Sequence, residues 1–168
     1  MHPWQYRRVR FHAEHSFPAV GPAVADLLAV PAFYLALTLP DLDQPELLES
    51  SDDGDEATIR LRYEFVGRLD PMARRLIGPD RLAWVQAVTV VRSAASGRLR
   101  FEAERDPRRL HGRADFSLAP SGEGTLRHLD GELVVAIPGV GRMAERRIVP
   151  GLLRRLDIEA EAAGVQLS

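Results

Sequence analysis

Apolar and polar residues alternate with a period of two along much of this chain, a pattern that predicts β-strands with one dry and one wet face. In the run IRLRYEF, Ile59, Leu61, Tyr63 and Phe65 share one side, with Arg60, Arg62 and Glu64 opposite. Residues 98–104 repeat this, with Leu99, Phe101 and Ala103 against Arg98, Arg100, Glu102 and Glu104, and residues 113–118 align Ala114, Phe116 and Leu118. Over residues 125–137, Leu129, Leu133, Val135 and Ile137 oppose His128, Asp130 and Glu132. Residues 7–15 alternate Val9, Phe11 and Ala13 with Arg8, Arg10 and His12, while residues 84–91 are more apolar on both sides, as in a better-covered strand. Strands with one wet face belong to antiparallel sheets. Turn-rich segments at 50–56, 93–97, 106–112 and 120–124 separate them at hairpin distances, so the middle of the chain reads as a meander.

Helical patterning occupies three other places. Residues 19–39 read as two short helices, with Pro22 and Pro31 near their starts. Residues 70–82 carry Asp70 as N-cap, Pro71 at the first helical position and Gly78-Pro79 as a stop. The longest, over residues 141–163, lines up Ile148, Val149, Leu152, Leu153, Leu156 and Ala160 in one stripe, opposite Arg147, Arg154 and Glu161. Pro150 interrupts it; a proline costs about 3 kcal/mol in an unkinked helix interior, so a kink or restart is expected at 149–151.

Length and charge narrow the class. A chain of 168 residues is expected to bury one core as a single domain, 1–168. Twenty-two arginines against 24 acidic residues give a net charge of −2, which supplies no electrostatic footprint for nucleic acid. Five arginine doublets, interleaved with acids, read as solvated surface. Without cysteine, neither a disulfide framework nor a thiolate metal site is available. The first residues lack an apolar signal region, and residues 24–39 are broken by Asp26 and Pro31 short of a membrane span. No stable membrane insertion and a cytoplasmic location are expected; the oligomeric state is not legible.

Several motifs compete for a chemical role. Gly139, Gly141 and Ala144 fit a G-x-G-x-x-A dinucleotide fingerprint, but that motif works inside a βαβ unit whose helix leads back to a parallel strand. Here the helix consumes nearly all the remaining chain, with Asp157 and Glu159 inside it, so the glycines read as a sharp exit from the last strand. His12 and His15 lie three apart on a strand and therefore face opposite sides, which excludes a shared metal ion; no metal or other cofactor is expected. The acidic run Asp52, Asp53, Asp55 and Glu56 lacks calcium-loop spacing and reads as a hairpin loop. No G-x-S-x-G elbow occurs, and no catalytic residue is assigned.

The order of elements, a strand, two short helices, a long antiparallel meander and one long terminal helix, resembles the START-like (SRPBCC, helix-grip) superfamily. Pro18-Ala19 with Val24, the pair Phe33-Tyr34, residues 97–103 and above all IPGVGRMAE at 137–145 are similar to a START-like family of unknown function from high-GC Gram-positive bacteria. The resemblance implies an α+β helix-grip fold: a curved antiparallel sheet of six or seven strands wrapped around the terminal helix, with an apolar cavity between them.

On that reading the dry-face residues Phe11, Leu61, Tyr63, Phe65, Val88, Phe101, Phe116, Leu129 and Leu133, with Leu152 and Leu156 from the helix, are either cavity lining or plain core. His15, Tyr63 and Gln86 are polar members of the dry rows, able to orient a ligand or simply to be satisfied in place. The segment 70–82, with Pro71, Met72, Leu76 and Ile77, stands where the family covers its cavity mouth. The implied function is binding or carriage of a small apolar or amphipathic molecule, lipid-like or polyketide-like. Two alternatives stay open: an aromatase/cyclase-like enzyme using His15 or Tyr63 as acid or base, and a filled-core interaction module.

Overall fold

The computed structural model describes residues 7–68, 71, 74, 82–136, 139, 142 and 144–168. Seven strands, β1 (Arg7–Phe17), β2 (Glu46–Asp52), β3 (Glu56–Glu64), β4 (Ala83–Val91), β5 (Ser96–Ala103), β6 (Leu110–Ser121) and β7 (Gly124–Val135), form one sheet in the order β1-β7-β6-β5-β4-β3-β2. Every neighbouring pair is antiparallel. Two short helices, α1 (Gly21–Leu28) and α2 (Pro31–Leu35), follow β1, each opening on the proline that the sequence placed there. After β7 comes a π-helical turn (Ala144–Ile148) and then the long helix α3 (Val149–Leu167). This is the α+β helix-grip arrangement. β7, the strand that leads towards the terminal helix, is antiparallel to both of its neighbours, so the glycine fingerprint does not open from a strand of a parallel βαβ unit.

The alternating rows become the inner face. Ile59, Leu61, Tyr63, Val88, Val90, Leu99, Ala114, Phe116, Leu118, Leu129, Leu133 and Val135 are buried in one core with Val24, Leu28, Phe33 and Tyr34 from the short helices and Leu156 and Ala163 from α3. The edge strand β2 escaped the period-two reading because all seven of its residues are exposed, so neither face imposes alternation. The acidic loop that follows is tied down by Arg92: its guanidinium donates to Asp52 at 2.8 and 2.9 Å and to Asp26 at 2.8 Å, joining α1 to the β2–β3 hairpin. Asp52 is held down at about 2 by the bond from Arg92 and by the Gly54 amide.

The sheet bends where phenylalanine rings lie over glycines of the adjacent strand. Gly97 pairs with Phe116, Gly112 with Phe101 and Gly131 with Phe11. A Cβ at these glycines would meet the paired ring's Cζ at 2.3, 2.2 and 2.4 Å, so any side chain there collides. Gly97 and Gly112 are therefore strand residues under rings, and β5 and β6 start earlier than turns at 93–97 and 106–112 would allow.

The terminal helix restarts at Val149, within the expected break. Pro150 occupies its first turn, directly after the π-helical turn. The helix runs on past Ala163 to Leu167, four residues beyond the sequence reading. Among the described residues no helix is long and apolar enough to cross a membrane.

Candidate functional site

The backbone of α3 comes closest to β1, with α1 next. Its second half is sealed there, Leu156, Glu159 and Ala163 being buried. Its first half leaves a cavity of about 460 Å³ at the end of the sheet where β3 finishes and β4 begins. Leu39 and Leu42 from the segment after α2, Phe65, Leu82, Trp84, Phe101, Leu110 and Leu133 from the sheet side, and Ile148, Leu152 and Ile158 from the helix side supply the apolar wall. Polar groups at the wall are Asp41, Glu102, Arg147, Arg154 and Arg155.

Of the residues singled out from the sequence, Phe65, Phe101, Leu133 and Leu152 line this cavity. Phe11, Leu61, Val88, Phe116, Leu129 and Leu156 are buried in the core away from its wall, as are the polar Tyr63, Gln86 and His15. Pro71 is exposed, whereas Asp70, Met72, Leu76 and Ile77 lie outside the described residues. Leu39, Leu42, Leu110, Ile148 and Ile158 also line the wall. Of the apolar stripe read from the sequence, Ile148 and Leu152 line the cavity with Gly151, Arg155 and Ile158 beside them, whereas Val149 and Leu156 are buried in the core.

Behind the cavity lies an aromatic and polar layer. Tyr63 and Trp84 are register partners whose rings stack at 5.7 Å between centroids with 16° between planes. The Arg155 guanidinium sits over both, 5.1 Å from the Tyr63 centroid and 5.8 Å from that of Trp84. Its Nη2 donates to the Oε1 of the buried Gln86. Burial pushes the Tyr63 hydroxyl up to about 12, against the opposing effect of Arg155.

A second polar group pins the sealed half of α3. His15 and Arg127 are cross-strand partners on β1 and β7, and both are buried. Arg127 Nη2 donates to His15 Nδ1 at 3.0 Å, and Nη1 reaches Glu159 Oε1 at 3.4 Å. An arginine only donates, so His15 accepts at Nδ1, carries its proton on Nε2 and gives it to Asp157 Oδ1 at 2.9 Å. Burial, and next the Arg127 charge, lower the His15 pKa, with Asp157 and Glu159 opposing. The guanidinium also lies 5.4 Å from the Phe17 ring centroid and 5.9 Å from that of Phe116. Its Nε is buried without a hydrogen-bond partner. The sequence reading picked out His15 but not Arg127. The signal was present, since Arg127 shares the parity of Leu129 and Leu133, and a charge in phase with a dry row demands a buried partner.

His12 lies on the outer face, its Nδ1 2.8 Å from Asp130 Oδ1, so the two histidines of HAEH face opposite sides. Among the described residues no group of three or more His, Asp or Glu is arranged to hold a metal ion.

The same architecture recurs in solved structures of low sequence identity. TTHA0849 from Thermus thermophilus is 16% identical with a TM-score of 0.61, over 95% of this chain and 97% of that one. Norcoclaurine synthase from Thalictrum flavum, in complex with dopamine and hydroxybenzaldehyde, is 14% identical with a TM-score of 0.63, over 97% and 90%. CV1439 from Chromobacterium violaceum is 13% identical with a TM-score of 0.54, over 94% and 96%. No curated protein sequence matches the chain. At these identities the likeness shows the helix-grip fold alone. A family model matches residues 8–164, nearly the whole chain, and the chain belongs to that family, DUF2505, described as a protein of unknown function.

Proposed function

We propose that this protein binds a small apolar or amphipathic molecule, lipid-like or polyketide-like, in the space between the first half of α3 and the sheet. The observation that carries this reading is the cavity itself: about 460 Å³ with a mainly apolar wall, inside the range of about 300–1,000 Å³ usual for ligand pockets. A wall of Leu42, Phe65, Phe101, Leu152 and Ile158 gains by covering apolar ligand surface, at about 25 cal/mol for each Å² removed from water. The norcoclaurine synthase complex supports the reading, because a protein of this fold holds two small aromatic molecules.

The placement of His15 and Tyr63 supports binding over acid–base catalysis by these two groups. A general acid or base has to reach the reacting atom. His15 is engaged by Arg127 and Asp157 on the sealed half of α3, and Tyr63 lies under Trp84 and Arg155, behind the wall. A core filled solid, as an interaction module would have, does not accord with the open space along the first half of α3.

Gly151 gives the direct test. It lines the cavity, and a Cβ there meets nothing within 4 Å, so a large side chain enters open space. Gly151→Phe is expected to weaken uptake of a solvatochromic apolar dye at least tenfold while leaving the melting temperature within a few degrees of wild type. Unchanged uptake in that variant contradicts the proposal.

A further inference from the structure

Resting on the cavity reading just given, we infer that the bound molecule carries a carboxylate, and that Arg155 is the residue that receives it. Arg155 is half-buried at the cavity wall, with its guanidinium carbon 5.1 Å from the Tyr63 ring centroid and 5.8 Å from that of Trp84. A cation withdrawn from water is normally matched by an anion. The other inward or half-covered arginines follow this rule: Arg127 reaches Glu159, Arg92 is held by Asp52 and Asp26, and Arg62 by Glu104. Arg155 is different. Its hydrogen bond goes to the neutral amide oxygen of Gln86, and among the described residues it has no carboxylate partner.

The arrangement orients the guanidinium without neutralising it. Gln86, buried and fixed on β4, takes Nη2, and the stacked rings lie beside the guanidinium. Donors of the planar fork are left for an acceptor, and a carboxylate matches that fork with two parallel bonds. The apolar tail of such an acid would lie along Phe65, Phe101 and Leu152.

The test compares decanoate with decanol, matched in chain and different in head, by isothermal titration of wild type, Arg155→Leu, Arg155→Gln and, as a control on the outer face of β5, Arg98→Gln. Wild type is expected to prefer decanoate. Both Arg155 variants should lose decanoate affinity by on the order of tenfold to a hundredfold, the scale of a charge-assisted bond, while decanol affinity stays within about twofold. Arg98→Gln should keep the preference. Equal affinity of wild type for both probes, or equal loss of both in the two Arg155 variants, overturns the carboxylate assignment. If neither probe binds wild type, the cavity reading itself falls, and this inference with it.

Discussion

Arg127 costs the protein desolvation on β7 and is retained beside His15 and Glu159, where it fastens two strands to the terminal helix. Removing one member of a buried ion pair leaves the other charge stranded, which typically costs about 3–5 kcal/mol. Arg127→Met should therefore destabilise the fold by about 3 kcal/mol in urea unfolding. The double variant Arg127→Met/Glu159→Leu should recover most of the loss, because apolar side chains of similar size can replace a buried pair. An additive double variant would show that the two residues act independently. The same cluster dictates a pH effect. His15 is neutral in the fold with its pKa lowered below 6.5, so the unfolded chain takes up its proton first on acidification. Its contribution is complete above pH 6.5 and is lost as pH falls from there towards the lowered folded value. Arg127, Asp157 and Glu159 are the charged groups that face it. The stability difference between wild type and His15→Gln should accordingly grow as pH rises through this window. A flat difference would mean that His15 takes up its proton equally in the folded and the unfolded chain.

Strands β1, β3, β5, β6 and β7 were legible as elements because half of each is wet and half dry, as Leu61 and Tyr63 against Arg60 and Arg62 show. β2 was not, since a strand with two solvated faces has no periodicity to read. Gly97 and Gly112, but not Gly131, were misread as turn residues for a related reason: the requirement comes from the ring on the next strand, and nothing local announces it. Those pairs make their own prediction. Gly131→Val pushes a branched side chain into the Phe11 ring and the Arg113 carbonyl, which lies 2.6 Å from the Cβ position. A loss of about 1–3 kcal/mol is expected from overpacking of this kind. Phe11→Leu should return part of it, and failure of any rescue would place the damage in the backbone rather than in the ring. Along the terminal helix, the apolar stripe serves both the cavity, through Ile148 and Leu152, and the sealed core, through Val149 and Leu156. Periodicity separates buried from exposed faces, but it does not say which part of a buried face meets a filled partner.

At the scale of the molecule, one helix does two jobs along its length. Its second half closes on β1 and α1 around Leu156, Glu159 and Ala163, while its first half stands off from the bent sheet and leaves a lined space. The helix-grip fold was legible from the order of elements; the division of α3 into a clamped end and an open end was not, because it depends on how far the sheet curls beneath it. Methyl-resolved NMR of the protein titrated with decanoate tests this division most directly. The account predicts saturable shifts at Leu42, Leu152 and Ile158, with Ile59 and Leu129 unmoved. Shifts confined to the outer face around Val85 and Val134, or no saturable shift at the cavity methyls, would contradict it.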